Sequence, residues 1–187
     1  MSFQSTPWQT VGPYYRIGLE PLYHTDIAPA QAKGERVQIA GTIHDGAGNP
    51  VSDAVLELWQ ADAAGIYAHA EDPRRDAHDP NFHGWGRAPT DEQGRFSFTT
   101  IKPGRVPGLK GTPQAPHLVA LVFMRGLLKA APTRIYFSDE ASNGEDGILA
   151  LVPAERRDTL IARQTAHGQY TWDVRMQGVG ETVFFSY

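Results

Sequence analysis

The chain has seven histidines and seven tyrosines among its 187 residues, and no cysteine. Without thiols there are no disulfides, zinc–thiolate centres or cysteine nucleophiles. His24, His44, His69, His78, His83, His117 and His167 are scattered. His78 and His83 share a polar loop with Asp76 and Asp79, a conceivable metal cluster. Their spacing matches no recognised ligand motif, so solvated loop residues are the expected reading. No serine stands in a strained strand-to-helix turn, so Ser/His/Asp catalysis has no support. Phosphate loops, a GxGxxG after a strand and HExxH are absent. His117 is different: it ends a Pro/Gly-rich loop and opens the most apolar run of the chain, 118–124, within IKPGRVPGLKGTPQAPHLVALVFMR (101–125). A long loop feeding a buried strand is where functional side chains tend to be mounted.

The elements that must position His117 read as mainly β. Val37, Ile39, Gly41 and Ile43 alternate with polar residues, and 54–59 (AVLELW) follows a turn-rich stretch, so the two predict a hairpin-like pair. RFSFTTI (95–101) alternates, 118–124 is apolar enough to be covered on both sides, and TRIYF (133–137) is another short strand. Residues 71–86 read as loop, with Pro73, Pro80 and Gly84. The single helix candidate is 153–164, with proline at its start and Glu155 in its first turn. Tyr170, Trp172, Val174 and Met176 alternate, and ETVFFSY (181–187) is expected to be a last strand. Short strands, turns and one late helix predict an antiparallel β-sandwich or barrel. Residues 1–36 are interrupted by proline and glycine but rich in aromatics, which predicts an arm packed on a neighbouring surface.

Composition removes other classes. The chain is 41% apolar and 20% charged, with net charge −4 and a pI near 5.9. It therefore lacks the basic footprint of a nucleic-acid-binding protein. No apolar run approaches the roughly 20 residues of a spanning helix, and the start lacks a signal peptide's basic and apolar regions. A cytoplasmic protein with a single domain over 1–187 (arm 1–36, sandwich 37–187) is expected, with no membrane or nucleic-acid partner.

Several segments together resemble the intradiol ring-cleaving dioxygenases: GTIHDGAGNPVSDAVLELWQADAAGIY (41–67), DPNFHGWGRAPTDEQGRFSFTTIKPG (79–104) and APHLVALVFMRG (115–126). TPWQTVGPYY (6–15), TRIYFSDEA (133–141), RRDTLIA (156–162) and GETVFFSY (180–187) resemble the α chain of the members built from two homologous chains, α and β. The resemblance implies an antiparallel β-sandwich with long loops. It also implies an activity in which protocatechuate and O2 are the substrates and the ring opens between its hydroxyl-bearing carbons. In the family's catalytic chains Fe(III) is held by two tyrosines and two histidines, hard anionic and imidazole donors suited to that ion.

Carried onto this chain, the first tyrosine matches Tyr67 and the second falls on Val106. The histidine pair falls on His117 and Val119, and the motif's arginine falls on Gln114. Two ligand positions thus hold valine. The resemblance implies that this chain binds no metal and carries no complete catalytic set, only a vestigial site. Fe(III) would be held by a homologous β subunit in an αβ hetero-oligomer. It further implies that Thr10, Gly12, Pro13, Tyr14 and Arg134 border the β subunit's pocket, with Arg134 aimed at the substrate's ring carboxylate. The competing readings are a non-catalytic transthyretin-like β-sandwich binding module, and a self-sufficient intradiol enzyme, which the missing ligands disfavour.

Overall fold

A computed structural model describes residues 7–108 and 111–186. The expected arm (1–36), the long loop (101–125) and the expected last strand (181–187) therefore lie in part outside the described residues. Among the described residues there are nine strands: β1 (Arg36–His44), β2 (Val55–Trp59), β3 (Trp85–Pro89), β4 (Arg95–Ile101), β5 (His117–Phe123), β6 (Ala131–Phe137), β7 (Ile161–Ala166), β8 (Gln169–Thr171) and β9 (Val174–Arg175). They make one sheet in the order β3-β2-β5-β6-β7-β8-β1-β4, with β9 paired to β1 outside that path.

The chain is mainly β, as expected, but not an antiparallel sandwich. β1 pairs with β8 and β9 in parallel, and β6 with β7 in parallel. The result is a mixed, nearly closed sheet. The predicted hairpin also fails. Residues 45–50 do turn tightly, with Val51 N–H bonded to the Ile43 carbonyl at 2.9 Å. β1 nevertheless ladders with β4, and β2 with β3 and β5. The turn chemistry fixed a local reversal, not the strand partner.

The two ends of the strand order, β3 and β4, are joined by the N-terminal arm. His24 exchanges backbone bonds of 2.9 and 3.0 Å with Arg87 on β3. Thr25 accepts from Thr99 N–H at 2.8 Å, and Ile27 donates to the Thr99 carbonyl on β4 at 2.8 Å. Two open strand edges, each a liability for association, are covered by the chain's own arm. This explains why β3 was missed. Gly84 and Gly86 read as loop, but a Cβ on Gly86 would lie 2.9 Å from the His24 carbonyl, so glycine is what lets the arm lie close.

The predicted helix is half 3-10 helix, Ala154–Leu160, and half strand, β7. Ile161 and Ala162 pair with Tyr136 and Phe137; a fully buried Phe137 beside an open strand edge draws this segment into the sheet. The alternating stretch from Tyr170 breaks into β8 and β9, between which Trp172 Nε1 donates to the Thr159 carbonyl at 2.9 Å. Residues 181–186 are not a strand. They lie as a strap, with Phe185 N–H bonded to the Pro132 carbonyl at 2.8 Å. Ile39, Ile43, Leu56, Leu118, Val122, Ile135 and Phe98 form the interior. On β5, Leu118, Ala120 and Val122 face this core while Val119, Leu121 and Phe123 are half-buried, so the strand is not covered equally on both sides as expected. Among the described residues no helix is long and apolar enough to cross a membrane.

Candidate functional site

The face of β5 opposite the core carries a cavity of about 760 Å³, within the range of small-molecule sites. Its wall is a cross-strand row: Trp59 on β2 stands opposite Val119 on β5, which stands opposite Arg134 on β6. Adjacent strands bring such neighbours within roughly 5 Å. His117, two residues before Val119, shares the face and lines the same cavity, as do Tyr67, Val106 and Gln114. The sequence-predicted vestigial positions are thus assembled in one place.

Loops deliver the remaining members. Asp62, itself buried, accepts from the N–H groups of Ala64, Ile66 and Asp79, all at 2.9 Å, and so shapes the turn leading to Tyr67. Gly65 (φ +74°) lets that turn lie against the loop carrying Val106, since a Cβ there would stand 1.9 Å from the Arg105 carbonyl. Asp72 accepts from Tyr67 N–H at 3.0 Å, and the Tyr67 ring stacks on Trp59 at 6.0 Å. Asp146, also buried, receives Ala115 N–H at 2.7 Å, two residues before His117, and Tyr136 Oη at 3.3 Å. None of Trp59, Asp62, Asp72 or Asp146 was singled out from the sequence, because each acts across long sequence distances that spacing does not reveal.

Protonation follows from burial. Burial pushes the Tyr67 phenol up, against the opposing Arg134 charge. His117 is pushed down to about 4, first by burial and then by Arg134. The imidazole is therefore neutral at pH 7. Its Nδ1 donates to the Ala115 carbonyl at 2.8 Å, which leaves Nε2 as an acceptor. The linkage has a definite sign. The unfolded state takes up a proton at His117 below its ordinary value of 6.5, and the folded state only near 4. As pH falls through that window the unfolded form gains, and stability declines by up to about 3 kcal/mol. His117→Gln is expected to remove this part of the acid sensitivity. Denaturant unfolding of both proteins at pH 7 and pH 4.5 measures it; equal losses for the two would refute it.

The arm residues lie elsewhere. Thr10, Gly12 and Pro13 line a smaller cavity of about 350 Å³ with Asp53 and Arg125. Tyr15 anchors the segment through its hydroxyl, which donates to the Asp53 carbonyl at 2.6 Å, and through a stacked contact with Phe123. Tyr14 is 75% exposed and Trp8 72%. Within one chain the structure does not bring the arm and Arg134 together.

Fe(III) does not fit the larger cavity. Val106 and Val119 offer no lone pair, and Arg134, the cross-strand neighbour of Val119, brings a positive charge to the lining that disfavours a cation. The His78/His83 loop is no better: the Asp79 carboxylate is committed to Lys33 N–H at 2.7 Å and Asn81 N–H at 3.0 Å, bonds that hold it below the usual carboxylate range. Asp76 is almost wholly exposed.

A mixed, nearly closed sheet with this pocket on its outer face defines a ring-cleavage dioxygenase scaffold, and the family model described as Dioxygenase matches residues 11–178. The chain belongs to the intradiol dioxygenase family. It is 46% identical over 200 aligned residues to the protocatechuate 3,4-dioxygenase alpha chain of Burkholderia cepacia, covering 98% of each. It is 36% identical over 173 residues to the beta chain from the same organism, covering 86% of this chain and 74% of that one. The dioxygenase domain of a carbohydrate-binding fusion from Streptomyces sp. SirexAA-E superposes with a TM-score of 0.64 over 96% of this chain and all of that one; at 23% identity this likeness concerns the fold.

Proposed function

We propose that this chain is the α subunit of a cytoplasmic protocatechuate 3,4-dioxygenase. Its β partner holds Fe(III), and the assembled enzyme converts 3,4-dihydroxybenzoate and O2 to 3-carboxy-cis,cis-muconate. The observation that carries the reading is the pair of valines, Val106 and Val119, at two donor positions of a chain that resembles an α chain over its whole length.

In this reading Thr10, Gly12, Pro13 and Tyr14 form part of the wall of the β pocket. Tyr15 and Arg87 fasten the arm from behind, which leaves the Tyr14 face outward. Gly12 (φ +74°) and Pro13 make a small, stiff corner against which a flat ring can lie. Held there, the ring keeps one orientation, which is worth more to the rate than added affinity. The test purifies the full chain with and without a co-expressed β homologue. The expected result is ring cleavage and ferric-tyrosinate colour only in the complex. In that complex Gly12→Val should raise KM with iron content unchanged. Colour and turnover from this chain alone would refute the division of labour, and an unchanged KM would refute the role of the arm.

A further inference from the structure

The arm segment that carries Thr10, Gly12 and Pro13 is not held in place by burial. None of residues 7–20 is buried, and the short 3-10 turn Pro13–Tyr15 has no buried residue. A segment that removes so little apolar surface from water is placed by its polar tethers. Those tethers lead to two connections between strands. In the β1–β2 connection, the Asp53 carbonyl accepts from Tyr15 Oη at 2.6 Å, and Asp53 Oδ2 accepts from the same hydroxyl at 3.2 Å. The neighbouring Ser52 carbonyl accepts from Arg16 Nη1 at 2.7 Å. In the β5–β6 connection, the Leu127 carbonyl accepts from Val11 N–H at 2.8 Å. Asp53 joins the two connections, because its Oδ1 lies 2.9 Å from Arg125 Nη1. That oxygen is shut off from water and has no hydrogen-bond partner among the described residues, so the ion pair is what offsets its desolvation.

We propose that Asp53 is a positioning residue of the pocket shared with the β subunit: through Tyr15 and Arg125 it clamps residues 10–13, and so sets substrate affinity without touching the substrate.

The effect on turnover rests on the α-subunit reading; the clamp itself does not. The cavity of about 350 Å³ enclosed by the arm, Asp53 and Arg125 leaves the segment room to shift when a tether is removed. Burial first, and the Asp53 charge second, push the Tyr15 phenol up to about 12, so its hydroxyl remains a donor at neutral pH. Arg125 is 71% exposed at its own end, which limits the pair to an effect of a few-fold. A pocket wall that shifts weakens substrate and transition state alike, which raises KM and leaves kcat unchanged.

Two variants that preserve size test the clamp. Asp53→Asn removes the charge, and Tyr15→Phe removes the hydroxyl while keeping the ring stacked on Phe123. In the isolated full chain, each is expected to speed hydrogen exchange at the Val11 amide about threefold to tenfold. In the complex with the β homologue, each should raise KM about threefold to tenfold, with kcat and iron content unchanged. Arg125→Gln should match Asp53→Asn, whereas Arg125→Lys, which keeps the charge, should stay within about twofold of the unaltered complex. Unchanged exchange in the isolated chain would overturn the clamp. Faster exchange with an unchanged KM, or a loss of kcat or iron in its place, would overturn the positioning role. An unaltered complex that cleaves no ring would overturn the α-subunit reading and the effect on turnover with it, while exchange in the isolated chain still decides the clamp.

Discussion

Arg87→Ala is expected to destabilise the chain by about 3–5 kcal/mol and to loosen its N-terminal arm. Arg87 sits on β3 opposite Glu57 on β2, and its side chain is only 4% exposed. One end of the guanidinium donates to Glu57 Oε1 and the other to the Tyr15 carbonyl, while its carbon lies 5.8 Å from the Phe123 ring centroid. Truncation leaves a largely buried carboxylate and a backbone carbonyl without a donor, a loss well above that of a surface pair, which is worth about 0–1 kcal/mol. The double replacement Arg87→Met with Glu57→Gln removes both charges at similar volume and should recover much of the stability. Urea unfolding measures both. Hydrogen exchange at residues 14–16 reads the arm, which should exchange faster in Arg87→Ala although the arm is unaltered. A loss below about 1 kcal/mol would show that the pair is solvent-screened and that the arm is held by other contacts.

The second large effect is expected at Gly65. Alanine there meets two penalties: a left-handed backbone (φ +74°), costing about 1–2 kcal/mol, and a Cβ 1.9 Å from the Arg105 carbonyl oxygen, which is main chain and cannot rotate away. Overpacking of this kind adds about 1–3 kcal/mol. The contact is reciprocal, since a Cβ on Gly104 would lie 2.5 Å from the Ala63 carbonyl. To relieve it, the loop with Tyr67 must part from the loop with Val106, which opens the cavity. Gly48 is the control: its φ is +84° and nothing lies within 4 Å of its Cβ position. Gly48→Ala should cost only the conformational part. Equal destabilisation of the two variants, measured by thermal or denaturant unfolding, would show that the close approach of the loops carries no energy.

Individual elements show how much of the fold was legible and why. RFSFTTI was read with its true bounds because one face is buried and the other is not, so the period of two is written into the residues. β7 was read as the end of a helix because local propensity favours either form; its docking beside Tyr136 and Phe137, over twenty residues away, settles the matter. The 45–50 turn was legible and the hairpin inferred from it was not real, because β4 outcompetes β2 for β1 through a seven-residue register. Parallel pairing leaves no local trace at all, and it turned an expected antiparallel sandwich into a mixed sheet.

The candidate site divides the same way. Tyr67, Val106, Gln114, His117 and Val119 were marked from the sequence, and the structure gathers all five around one cavity. Valine has no lone pair in any fold, so the absence of a donor at Val106 and Val119 follows from the residues alone. Where Arg134 points is another matter. In the sequence it is one cation in a short strand, assigned to a neighbour's pocket. Only the pairing of β5 with β6 sets it across from Val119, beside Gln114 and within the field of His117 and Tyr67. Strand register is a long-range property fixed by which faces are buried together. The sequence by itself determined that Val106 and Val119 offer no donor atom, and the tertiary structure determined that Arg134 lines the same cavity.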